Sequence, residues 1–400
     1  MPGALIAGDP IVRIAARGDG VSERGVAVAL AAPGDTLLDD GRVVPGQHRQ
    51  APPCRHFPTC GGCVLQHVDD AAYAAFLADR IVSALHAQRL DAPAMRPAHL
   101  SPPRSRRRAS LRAERVGRVA IGFNEAASRR IVDLAECHIL HPALFALAGP
   151  LRALLGPMLA ERRQSEIMMT LADQGIDLLL AGVDADGLRA TEALTAFAER
   201  HALARLTVDA GMGAETRWEP RPVTVTLGGA AVALPPGGFL QATADGEAAL
   251  VASVIEAVGD AATVADLFSG LGTFALPLAA GARVLAAEGA RDAVLALKAA
   301  GAGRIVADHR DLFRRPYAAA ELSRFEAVVL DPPRAGAKEQ AAELAAATCR
   351  RIAYVSCNPA TFARDAATLV AGGWRLDWIA PVGQFRWSTH VELVAAFARS

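Results

Sequence analysis

The spacing of apolar and polar positions changes near residue 236. Beyond it, five short apolar runs ("ATVADLF", "ARVLAAE", "RIVADH", "FEAVVLD" and "RIAYVSC") predict buried strands. Alanine-rich helical segments lie between most of them. This alternation predicts an α/β fold with a mostly parallel, doubly wound sheet. "WRLDWIAPV" and "HVELVAAFA" follow with little room for a helix between them, and predict a terminal antiparallel pair.

Before residue 236 the rhythm is different. "RIAARGDGVSERGVAVALAAPGD" alternates apolar runs with Gly-Asp turns, as hairpins do. "RQAPPC" reads as a linker, and Val68 to Leu90 has helical spacing. "SPPRSRRRASLRAER" is a basic extended stretch. "EIMMTLA" and "GIDLLLAG" predict a strand pair, with a helix around "ATEALTAFAERH" and more strands to about Leu234. Three units are expected: a β-rich module over 1–52, an α+β region over 53–235, and the α/β unit over 236–400.

Composition narrows the class. Hydrophobic residues make up 52% of the chain, enough for well-buried cores, and no run of eighteen uncharged apolar residues predicts a membrane span. Asp9 and Pro10 interrupt the N-terminal apolar stretch where a secretory signal would be unbroken, so a cytoplasmic enzyme is expected. Net charge is zero, so a nucleic-acid partner must be held by local patches. Arginine carries nearly all the positive charge, since Lys298 and Lys338 are the only lysines.

"VADLFSGLGTFALPLA" reads as strand, glycine-rich turn and helix. A dinucleotide loop would want a glycine where Ala275 stands, with Pro277 soon after, so the pyrophosphate reading is weak. Asp266 opening the loop and Glu288 ending the next strand fit a nucleoside without a diphosphate, such as S-adenosylmethionine. Asp331 in "VVLDPPRAG" and Cys357 in "AYVSCNP" also end predicted strands, where open α/β sheets bind ligands. Cys349 is expected to sit on a helix as a small core residue.

A thiol, a methyl donor and a late carboxylate, Glu392, make one chemistry together. A thiolate adding to carbon-6 of a pyrimidine activates carbon-5 toward a methyl group, and a base must then take the carbon-5 proton before the thiol leaves.

"CRHFPTCGGCVLQH" groups Cys54, Cys60 and Cys63, with Cys137 further on in "DLAECHIL". Such crowding predicts a metal site. Three clustered cysteines and one distant one fit iron–sulfur ligation better than the paired knuckles of structural zinc. His56, His67 and His138 are expected to pack around it. Arg104, Arg106, Arg107 and Arg108 form a candidate phosphate track for RNA.

Taken together, these motifs resemble the RNA (uracil-5-)-methyltransferase family, in particular its iron–sulfur branch acting on 23S ribosomal RNA. "CRHFPTCGGCVLQH" with "ECHIL", "DLFSGLGTFALPLA", "DPPRAG…YVSCNPAT", "GGFLQAT" and "HVEL" carry the resemblance, which spans nearly the whole chain. It implies Cys357 as nucleophile and Glu392 as base. It implies Gln241, Phe268, Thr273, Glu288, Asp311 and Asp331 as contacts of S-adenosylmethionine or the target base. Cys54, Cys60, Cys63 and Cys137 would ligate a [4Fe-4S] cluster. RNA is the implied partner of a monomer that needs no membrane. Thr273 and Thr243 stand where the family more often has asparagine. The front module resembles its small RNA-binding barrel (TRAM, OB-like), but only about nineteen residues separate "PGD" from Cys54, so a truncated barrel is expected. The rival readings are a transfer-RNA T-loop uridine methyltransferase and a non-catalytic iron–sulfur RNA-binding protein.

Overall fold

The structure, a computed structural model, describes residues 8–399. The parts of the front module and of the N-terminal apolar stretch that fall on residues 1–7 lie outside the described residues.

A nine-stranded sheet dominates. Its order is Ile305–His309, Arg283–Glu288, Thr263–Leu267, Ala327–Leu330, Arg351–Ser356, Glu392–Ala398 and Arg375–Gly383, edged by Ala94–Met95 and His99–Leu100. The first five are mutually parallel. The last strand turns back antiparallel to Arg375–Gly383, as the absence of a crossover helix predicted, and also inserts antiparallel beside Arg351–Ser356. Alternate residues feed opposite faces. Val328, Leu330, Ile352 and Tyr354 join one core, while Ala327, Val329, Ala353 and Val355 join the other.

The helix Asp70–Ala87 starts at Asp69, whose Oδ1 accepts the Ala72 N–H at 2.8 Å. It buries Tyr73, Phe76, Leu77, Ile81 and Leu85 in the same core as Tyr354 and Phe397. Residues 70–100 therefore pack on the large sheet although they precede residue 236. Cys349 is a buried core residue as expected, but it lies in the loop beyond Lys338–Ala346, whose helix ends at Ala346.

The central region folds as a six-stranded sheet. Gln164–Ala172 and Gly175–Ala181 are the expected antiparallel pair, and Leu188–Arg200 is the expected helix. In front of it, five strands between Asp9 and Val44 form one antiparallel sheet, although three of them have only two residues. The chain is long enough for five strands because strands this short need little of it. Ala27–Val28 and Val43–Val44 remain unjoined edges, so the sheet curls without closing. Among the described residues no helix is long and apolar enough to cross a membrane.

Candidate active site

Sheet register brings the candidate chemistry together. Asp331 follows Leu330, the last residue of its strand, and its N–H donates to the Leu267 carbonyl at 3.2 Å. Cys357 follows Ser356 at the end of the neighbouring strand. Because Ser356 pairs antiparallel with Leu393, Glu392 comes directly opposite Cys357. Residues 35 positions apart in sequence thus meet at one edge of the crevice. Cys357 is half-buried, with access to solvent, while Glu392 is only 7% exposed.

The loops that carry these groups are tied to each other. Asn358 caps the following helix by accepting the Ala360 N–H, and its Nδ2 donates to the Arg334 carbonyl at 3.0 Å. Thr361 Oγ1 donates to that carbonyl at 3.2 Å. Asp365 accepts from the Tyr354 hydroxyl at 2.6 Å and from the Ala337 N–H at 2.7 Å. The "DPPRAG" and "SCNPAT" loops are therefore one body.

Their electrostatics are unusual. Burial, then the carboxylates of Glu392 and Asp331, push the Cys357 thiol up to about 11, and the Arg334 guanidinium opposes them. Burial and Asp331 push Glu392 up to about 8, against the Gln384 side-chain hydrogen bond and Arg334. Burial and Glu288 push Asp331 to about 7. Acidic groups crowded in a dry crevice hold their protons more tightly. Such clusters mark sites built for chemistry more often than for stability.

The glycine-rich loop stands beside them. Asp266 is fully buried, and burial and then Asp331 raise its pKa well above the usual carboxylate range. Neither of its oxygens finds a hydrogen-bond partner, the Ala275 N–H facing it outside good geometry, and Ser269 Oγ is also unpartnered. Glu288 accepts the Gly270 and Ala290 N–H groups at 3.0 and 2.8 Å, which leaves lone pairs for a ligand. Gly270 has φ +53, and a Cβ there would point into open space. Gly272 has φ +96, a left-handed conformation that favours glycine. Phe268 faces Phe313 at 5.4 Å between ring centres, with half-buried Thr273 in the same loop and exposed Asp311 capping the Phe313 and Arg314 amides.

Gln241, expected among the binding residues, is buried, and its Oε1 accepts from Gln384 Nε2 at 2.8 Å. Gln384 also accepts the Ala242 N–H, and so links Gln241 to Glu392. Thr243 caps the helix Ala244–Val258 by accepting the Gly246 N–H at 3.1 Å. Arg334 and Gln384 were not singled out from the sequence. Arg334 lies inside the motif already recognised, but nothing in "PVGQFRW" marks Gln384.

A cleft of about 340 Å³ opens beside these groups, with Arg106, Arg334, Arg386, Phe385, Phe123 and His390 among its walls. The arginine run does not enter it as one track. Arg106 faces Phe385 and Arg108 faces Phe239, at 5.3 and 4.8 Å from the ring centres. Arg107, between them on an extended segment, points the other way and pairs with Glu247 at 2.6 Å. Arg104 is exposed.

Cys54, Cys60, Cys63 and Cys137 are all free thiols and line one cavity. Burial raises the Cys60, Cys63 and Cys137 thiols, with further contributions from the neighbouring cysteines, and Cys63 reaches about 12. Among the described residues no group of three or more His, Cys, Asp or Glu side chains is arranged to hold a metal ion. His67 is buried with its ring tilted against Phe57, 5.6 Å between centres, while His56 Nε2 accepts the Ala135 N–H at 2.9 Å.

A family model described as tRNA (uracil-5-)-methyltransferase matches residues 297–399. An uncharacterized RNA methyltransferase of Zymomonas mobilis is 56% identical over 97% of this chain and 99% of its own length. A 23S rRNA (uracil(1939)-C(5))-methyltransferase RlmD of Aeromonas salmonicida is 30% identical over 89% of this chain and 84% of its own. This chain belongs to the RNA (uracil-5-)-methyltransferase family. A solved structure, that of a Pyrococcus abyssi tRNA (uracil-54, C5)-methyltransferase with S-adenosyl-L-homocysteine, matches with a TM-score of 0.72 at 23% identity. The match covers 98% of this chain and 99% of that one. At that identity it establishes the mixed α/β methyltransferase fold.

Proposed function

We propose that this methyltransferase transfers a methyl group from S-adenosylmethionine to carbon-5 of a uridine in 23S ribosomal RNA, through a covalent bond between Cys357 and the base. One observation carries the reading: strand register sets Cys357 against Glu392, with Asp331 beside both.

The Asp266–Glu288 loop would hold the nucleoside, its unpartnered Asp266 and Ser269 oxygens being the kind of groups a polar ligand relieves. Phe268, Phe313 and Asp311 would flank the adenine, with Thr273 nearby. When bound, S-adenosylmethionine supplies the methyl group. Cys357 adds as thiolate to carbon-6 after its proton has passed to water in the cleft, which the half-buried thiol can reach. Arg334 opposes that rise and favours the thiolate. The enolate so formed takes the methyl at carbon-5. Glu392 in its ionised form then removes the carbon-5 proton and later gives it up to water, and the carbon-6–sulfur bond breaks to restore the ring and the thiolate. Gln241 and Gln384 would hold the edge of the base.

Residues 1–52, 53–235 and 236–400 would serve as RNA-binding module, cysteine-bearing central unit and catalytic unit, with residues 70–100 packed on the catalytic sheet. The four cysteines are read as ligands of a [4Fe-4S] cluster. Three buried thiols and the half-buried Cys137 around one cavity support this, together with their three-plus-one spacing along the chain. Protein purified without oxygen should carry about four irons per chain. A single zinc would overturn the assignment.

The RNA is chosen because the ribosomal relative matches most of this chain, whereas the transfer-RNA structure speaks for fold alone. The test is mass-spectrometric mapping of 5-methyluridine in ribosomal and transfer RNA from cells with and without the gene. Loss from 23S RNA supports the reading, loss from the T-loop replaces the substrate, and loss from neither refutes the activity.

A further inference from the structure

Residues 384–391 connect the two last-paired strands and lead into Glu392. The segment is held from outside its own sheet. The Trp387 carbonyl accepts two N–H groups, from Val64 at 2.8 Å and Leu65 at 2.9 Å, the two residues directly after Cys63. The Tyr73 hydroxyl donates to the Phe385 and Ser388 carbonyls, each at 3.1 Å. Arg386 pairs with Asp70 and faces the Trp387 ring, 4.9 Å from its centre.

At the centre of this grip, Trp387 has φ +58, a conformation that costs a bulky side chain energy unless its surroundings enforce it. Its ring is 4% exposed and forms a small separate cluster with Cys63 and Ile139, against which Cys137 and Phe123 pack. Its indole Nε1 is buried without a partner. Two of the four cysteines therefore lie against a buried side chain of the loop that carries Gln384 and leads to Glu392.

We propose that Trp387 is a positioning residue that couples the cysteine site to the active site: filling the cysteine site and ordering the base-bearing loop are one event. A metal group bound by Cys63 and Cys137 would fix the floor on which the indole rests. It also fixes the backbone at Val64 and Leu65 that holds the Trp387 carbonyl. Without it, the strained Trp387 conformation loses its support and relaxes, and Gln384 and Glu392 lose their common frame. The coupling rests on the metal reading given above for the cysteines, but not on any RNA chemistry.

The test is amide hydrogen exchange on the full chain, with and without removal of the cysteine-bound metal by a chelator, in wild type and in Trp387→Ala. In wild type, removal should speed exchange across 384–391 by roughly tenfold or more while strands 263–267 and 327–330 stay protected. In metal-loaded Trp387→Ala the segment should already exchange fast, and removal should add little. Trp387→Phe, which keeps the ring, should behave like wild type and guards against simple misfolding of the alanine variant. Equal exchange at 384–391 with and without metal, or the same response to removal in Trp387→Ala as in wild type, overturns the proposal. A chain that binds no metal overturns it together with the cysteine assignment, leaving the methylation reading to its own test.

Discussion

Replacing Glu392 with glutamine should make the ligand-free protein more stable at neutral pH, although it damages turnover. In the folded site, burial and Asp331 raise this carboxyl from an ordinary 4.5 to about 8. A carboxyl raised on folding contributes stability that is complete below the unfolded value and is lost as pH climbs through the folded one. At about 1.4 kcal/mol per decade of proton affinity, the charged form carries a penalty near 5 kcal/mol well above pH 8, and about 3 kcal/mol at pH 7. The amide has nearly the same shape, has no charge to desolvate, and can still meet Gln384. Removing the charge also relieves Asp331, which acts in the same direction. Denaturant midpoints of wild type and Glu392→Gln, measured from pH 4.5 to 8.5, should coincide at the acid end and diverge as pH rises, with the variant the more stable. Parallel curves, or a variant weaker at pH 8, would refute the picture of a crowded, dry carboxylate.

Other consequences follow from the same geometry. Arg334→Ala removes the cation that opposes the raised Cys357 pKa, so formation of the covalent RNA complex should slow by about tenfold to a hundredfold. Its pH profile should also move to higher pH, and stopped reactions across pH would show it. Cys349→Ala, in the core, should lower stability by about 1–2 kcal/mol in urea titration yet leave covalent trapping intact. Glu288→Gln should weaken S-adenosylhomocysteine binding by about tenfold or more by calorimetry, with RNA affinity unchanged.

Much of the site could be read from the sequence because strand ends are visible there. Asp331 and Cys357 each terminate an apolar run, Asp266 stands one residue before the end of its strand rather than opening the loop, and parallel strands bring such ends to one edge. The meeting of Cys357 and Glu392 also depended on the last strand inserting antiparallel beside Arg351–Ser356, a choice set by tertiary packing that the apolar pattern leaves open. The arginine run shows the limit: charge alone did not reveal that alternation would send Arg107 to Glu247 and its two neighbours to phenylalanine rings. Two-residue strands are too short to leave a period, which is why the front sheet looked incomplete. The helix Asp70–Ala87 was evident from its spacing, but the surface its apolar face would cover was not. Gln384 acts through hydrogen bonds from an irregular loop, where sequence pattern carries no signal.

The central claim is that the Cys357 sulfur bonds to a uracil ring. Intact-mass and peptide analysis after incubation with S-adenosylmethionine and RNA bearing 5-fluorouridine tests it most directly, because fluorine cannot leave carbon-5 as a proton does. The account predicts a stable protein–RNA species carrying one added methyl, mapped to the peptide containing Cys357 and absent in Cys357→Ala. An adduct at another residue, or efficient methylation of ordinary RNA by Cys357→Ala, would contradict it.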